Sequence, residues 1–183
     1  VRGSTELGSG PEQVAGYACK LWALAPTVSG ASNVAFYICD WDYQFIGDGA
    51  VACAAAESVE AALPSWVTCE HLYATEYPHD GERNTAAADL WNGSNAGIHA
   101  LMGSYSNRYK PADFFDKVSW ENPWQMGMLD PYMNYYPLVI ANSCGGGDWA
   151  RTEDPEFGCP VLEDFLAAYD RGALAWVGPS AGS

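Results

Sequence analysis

Five short apolar runs are spread along this chain: "NVAFYICD", "WVTCEHLYATEY", "AGIHALMG", "PLVIANSC" and "ALAWVGPS". Between most of them lie segments with helical spacing. "GAVACAAAESVEAALP" is an alanine-rich helix closed by Pro64, "ERNTAAADLWNGS" a second helix, and "CPVLEDFLAAYDRG" a third. In the third, Val161, Leu162, Phe165, Leu166 and Tyr169 share one face and Gly172 is the stop signal. Strands that alternate with helices at this spacing form a mostly parallel sheet covered on both faces, so the expected fold class is α/β, a three-layer sandwich. A further helix is expected over "PEQVAGYACKLWALAP", giving an N-terminal edge and helix over 1–33 and one α/β domain over 34–183.

In parallel sheets function gathers beyond the carboxyl ends of the strands. Those ends carry Asp40 and Asp42, His99 with Gly103 and Ser104, Cys144, and Ser180. Cys144 stands where an apolar run meets "CGGGDW". Two readings are open: a small buried hydrophobe at a strand end, or a nucleophile whose neighbouring glycine N–H groups, Gly145 first, form an oxyanion hole. Trp149 closes that turn and is a candidate wall for a substrate. Of three histidines, His99 precedes Cys144 by close to the roughly 50 residues that separate the pair in caspases. It nevertheless lies inside a strand, several residues before the turn. It is therefore either the base or a satisfied histidine facing a helix.

Asp40, Asp42 and Asp48 form an acidic strand end, either a pocket for a basic side chain or a solvated loop. Their spacing does not match an EF-hand calcium loop. The stretch from Tyr105 to Tyr136 is unusually aromatic for a loop. It forms a pocket wall or partner surface, or folds back to cap the sheet.

Composition narrows the partners. Eight basic residues against 23 acidic ones give a formal charge of −15, which repels nucleic acid and anionic lipid. The six cysteines lack paired CxxC spacing, so no metal site is expected from them. Pairing in an oxidising compartment stays open. No phosphate loop follows the first strand, which counts against a flavodoxin-like binding domain, and no cofactor is expected. No signal peptide and no apolar run of membrane-spanning length are present, so membrane insertion is not expected. The polar opening "VRGSTELGSGPEQ" reads as the edge of a mature or excised fragment.

The order of four segments resembles the gingipain-like cysteine peptidases (peptidase family C25), relatives of the caspases. "NVAFYICDWDYQF" is similar to that family's first strand with its acidic end, and "LPSWVTCEHLYATEY" to its second. "PLVIANSCGGGDW" with "CPVLEDFLAAYDRGALAWVGPS" is similar to its nucleophile strand, turn, following helix and next strand. The resemblance implies a caspase-like fold and peptide hydrolysis through a cysteine thiolate. It also implies an extracellular or cell-surface setting and a further strand beyond this chain. Cys144 falls at the nucleophile, Gly145 and the backbone near Gly103 at the oxyanion, and Asp40 and Asp42 at the acidic strand end. The family's base is the histidine of a Gly-His-Gly turn after the third strand. That segment here is "LMGS", with Met102 or Ser104 in the histidine's place. Two functions follow: a cysteine endopeptidase acting on peptide or protein substrates with His99 as base, or an inactive pseudo-peptidase serving as a structural or assembly module among other domains or chains of a larger extracellular protein.

Overall fold

The computed structural model describes residues 15, 18, 20, 33–42, 47–103, 109–119, 123–131, 136–143, 146–147, 160–168 and 170–179. Within them, five strands form one parallel sheet: β1 (Asn33–Ile38), β2 (Cys69–Tyr73), β3 (Ala96–Met102), β4 (Leu138–Asn142) and β5 (Ala175–Val177). Their order is β2-β1-β3-β4-β5. Three helices flank the sheet: α1 (Asp48–Ala62), α2 (Asp80–Gly93) and α3 (Val161–Ala167). The α/β sandwich with a parallel central sheet is as the apolar runs imply. The second run is strand only over Cys69–Tyr73, and its "ATE" tail turns into a 3-10 helix.

β1 is apolar on both faces because both are covered. Val34, Phe36 and Ile38 face α1, where Ala52 and Ala56, one turn apart, bring the helix close. Ala35 and Tyr37 face α2 and α3, with Ala87, Ala88, Trp91, Val161 and Phe165. α1 starts tight against the end of β1. A Cβ on Gly49 would lie 2.1 Å from the Asp40 carbonyl oxygen, a contact with backbone that cannot yield. Gly49→Ala is therefore expected to lower stability by about 3 kcal/mol through overpacking, whereas helix propensity alone would raise it by about 1 kcal/mol. A urea titration decides the sign.

No α-helix lies between β3 and β4 among the described residues, only two single-turn 3-10 helices, Pro111–Asp113 and Met126–Met128. Side chains from the intervening aromatic stretch take an α-helix's place: Phe114, Phe115, Trp124 and Leu129 are buried in the α2/α3-side core. Phe165 is the hub, with Trp124 stacked on it at 5.1 Å and Phe115 edge-on at 5.2 Å. The aromatic stretch thus folds back as a layer of the sandwich. Lys117 Nζ fastens it to α3 through Asp164, at 2.6 Å.

Lys20, a helical residue, is fully buried. Its Nζ donates to the carbonyls of Phe165 (2.7 Å), Leu166 (3.3 Å) and Ala173 (3.2 Å), closing the C-terminal end of α3. Burial pulls its pKa down to about 7, opposed by the Asp170 carboxylate. Gly172 stands at φ +84° just beyond α3, and a Cβ there would lie 2.4 Å from the Phe165 carbonyl oxygen. The stop signal read in the sequence thus meets a position where only glycine fits.

Candidate functional site: the carboxyl rim of the sheet

Connections leave β1 toward β2 on one side and β3 toward β4 on the other. The crevice beyond β1 and β3 is therefore the place where a sheet of this order binds ligands. Here it is filled by the protein's own side chains. Gly103 follows β3, and a Cβ on it would lie 2.7 Å from Cys39 Cβ and 3.5 Å from Ala112. Its N–H donates to the Asn142 carbonyl at 3.1 Å, extending the β3–β4 ladder. The group suggested as an oxyanion donor is thus engaged within the sheet.

Asp40 and Asp42 sit at the rim and each has an internal partner. Asp40 accepts hydrogen bonds from the Thr75 backbone N–H at 2.9 Å and from the Thr75 hydroxyl, tying the end of β1 to the turn after β2. Asp42 accepts from the Gly49 N–H at 3.0 Å. Hydrogen bonds from the Gly47 and Gly49 backbones hold its carboxyl below the usual carboxylate range. Asp42 therefore caps α1, satisfying one of the orphan donors of its first turn.

His99 pairs in register with Ala35 on one side and Val139 on the other, three residues short of the Met102–Asn142 pair that closes the ladder. At strand rise this is about 10 Å below the rim. The ring is fully buried beneath Trp91, centroid to centroid 4.0 Å, and its Nδ1 shares a 2.8 Å hydrogen bond with the Tyr37 hydroxyl. Burial drives its pKa down to about 3, only partly opposed by the Ala96 backbone. It is a neutral imidazole cross-linking β1 and β3 inside an aromatic core. Of the alternatives left by the sequence, this is a histidine buried facing a helix, with its Nε2 left without a hydrogen-bond partner among the described residues.

Cys144, Gly145 and Trp149 lie outside the described residues. Of the same glycine run, Gly146 donates its N–H to the Ser143 carbonyl at 3.2 Å and Gly147 to the Pro179 carbonyl at 2.8 Å. A Cβ on Gly147 would lie 2.3 Å from the Gly178 carbonyl oxygen. These glycines let the chain after β4 press against the chain after β5.

The charged group at this rim was not legible in the sequence. Arg83, in the first turn of α2, has a side chain only 3% exposed. Its guanidinium pairs with Asp80, approaches Asp113 Oδ2 at 3.5 Å, donates to the Tyr77 carbonyl at 2.7 Å and lies over the Trp41 ring at 4.3 Å. Lys110 joins the same acids, 2.9 Å from Asp80, 2.8 Å from Asp113 and 3.3 Å from Asp116. Three residues of this loop, Ala112 (φ 49°), Asp113 (φ 63°) and Phe115 (φ 53°), adopt the left-handed region that non-glycine residues avoid. Such strain persists only where surroundings over-determine it. Here Ala112 abuts Gly103, Asp113 is held by two cations and Phe115 is locked in the ring cluster.

Burial raises the Asp113 pKa against the pull of Lys110 and Arg83, and burial followed by the Asp113 charge pushes the Cys39 thiol up to about 12. Cys39 is therefore an inert thiol at neutral pH. Cys53 and Cys69 are also free thiols, and burial raises both.

Comparison with known proteins returned no matching family model, curated protein or solved structure. Among the described residues no cluster of His, Cys, Asp and Glu is arranged to hold a metal ion. Among them, too, no helix is long and apolar enough to cross a membrane.

Proposed function

We propose that this chain is a non-catalytic module on a gingipain-like, caspase-type frame, serving assembly within a larger extracellular protein. The observation that carries this reading is His99. A general base must reach the proton it removes and exchange it near neutral pH. An imidazole sealed under Trp91, engaged by Tyr37 and titrating near 3 does neither. The internal pairing of Asp40, Asp42 and the N–H groups of Gly103, Gly146 and Gly147 supports the same reading.

The endopeptidase reading is favoured by one feature. β4 is an inner strand, flanked by β3 and β5, and Asn142 ends it at the carboxyl rim two positions before Cys144. In that reading the Cys144 thiolate attacks the scissile carbonyl and a group other than His99 takes the proton.

A peptidyl electrophile separates the two. Cys144 is expected to label no faster than a free thiol, with an equal rate in His99→Gln and no turnover of denatured protein. Acceleration on the order of 10²-fold, the scale of general base assistance, abolished in Cys144→Ser, would overturn the non-catalytic reading.

A further inference from the structure

On the α2 side of the sheet, an open groove of about 960 Å³ runs between α2 and β2. β2 is the edge strand, paired only with β1 among the described residues, so one row of its backbone donors and acceptors faces outward. The groove floor is apolar. Leu72 of β2, Tyr77, Ala86 and Leu90 supply its apolar lining. Its α2 wall is acidic, because Glu82 and Asp89 both line it and both are exposed. Among the described residues no lysine or arginine lines it, and His79, at the start of α2, is the single basic-capable group there. The two carboxylates are two helical turns apart, about 10 Å along the axis. Lysines two or four residues apart on an extended strand, separated by about 7 or 13 Å, can reach them.

We infer that this groove docks an extended segment of a partner protein that carries lysine or arginine at every second position. The segment adds to the outer edge of β2. Its cationic side chains, which fall on the α2 face at every second position, lay their methylene stems along Leu72 and Leu90 and reach Glu82 and Asp89 with their charged heads. Main-chain hydrogen bonds supply affinity and the alternate side chains supply selection, as in other strand-addition complexes. The acidic wall and the chain's charge of −15 both favour a cationic occupant over an acidic one. This site lies apart from the rim and does not depend on whether Cys144 reacts.

The probe is an acetylated, amidated Lys-Val-Lys-Val-Lys peptide titrated into the whole ¹⁵N-labelled chain. The amides of Leu72, Thr85 and Leu90 are expected to shift, with a dissociation constant on the order of 100 μM. The exposed double variant Glu82→Gln/Asp89→Asn is expected to bind roughly ten-fold more weakly, given up to about 1 kcal/mol for each exposed pair. Asp48→Asn/Glu57→Gln, which removes the same charge from α1 on the opposite face, should bind as the parent does. A Glu-Val-Glu-Val-Glu peptide and a backbone N-methylated lysine peptide should not bind. The proposal is overturned by shifts mapping elsewhere, by equal loss in the α1 variant, by binding that survives N-methylation, or by no binding up to about 2 mM.

Discussion

In urea, Arg83→Met is expected to unfold with a loss of about 3–5 kcal/mol, the cost of removing one partner from a buried ion pair. Methionine keeps much of the arginine stem's volume, so the loss reports charge and hydrogen bonding. The Asp113 side chain is 2% exposed and would keep Lys110 as its only cation, with the Trp41 ring uncovered as well. Adding Asp113→Asn removes the stranded charge. The double variant should recover part of the loss, giving a coupling of about 1 kcal/mol or more in a double-mutant cycle. A single-variant loss below about 1 kcal/mol would mean the group behaves as a surface ion pair.

Acid is expected to act on the fold through His99. The unfolded imidazole titrates near 6.5 and the folded one near 3, so the unfolded state binds more protons between those values. The contribution is fully present above pH 6.5 and is lost as pH falls toward 3. The gap corresponds to a change on the order of 4 kcal/mol. Asp113 works in the opposite sense: its raised pKa gives stability at low pH that fades as pH rises. Comparison with His99→Gln isolates the histidine, since an amide can still accept from the Tyr37 hydroxyl but does not titrate. The stability advantage of the parent over His99→Gln should shrink across pH 6.5 to 3. A constant difference would contradict the buried, neutral imidazole.

The frame of the fold was open to reading because burial of the sheet demands it. "VAFYI" is apolar at every position, which only a strand covered on both faces requires, and Ala52 and Ala56 on α1 mark the close approach of a helix. His99 was readable in part: its neighbours Ile98 and Ala100 mark strand interior, but Trp91 and Tyr37 come from other elements and no local pattern pairs them with it. Asp42 reads as an acidic loop residue because the N–H it caps is seven positions away. Arg83 and Asn84 hide for a different reason. They occupy the same buried stripe of α2 as Ala87, Ala88 and Trp91, yet two polar residues at a helix start read as a solvated face. Their partners Asp113 and Asp116 sit in a loop thirty or so positions on, where only the tertiary fold brings them into contact.

Lys20 bears on the order in which the chain can complete itself during synthesis. Its three acceptors stand 145, 146 and 153 positions downstream, so they are synthesised long after it. β1, β2 and β3 can pair long before that, since each is in place by Met102. Lys20 is therefore made long before the groups that fasten it, and its amine waits in solvent until α3 and the chain leading into β5 arrive. Contacts this distant in sequence slow folding by the loop they must close. In this chain that delay falls on a single buried lysine, a helical residue ahead of β1 that is joined to α3 and the chain leading into β5.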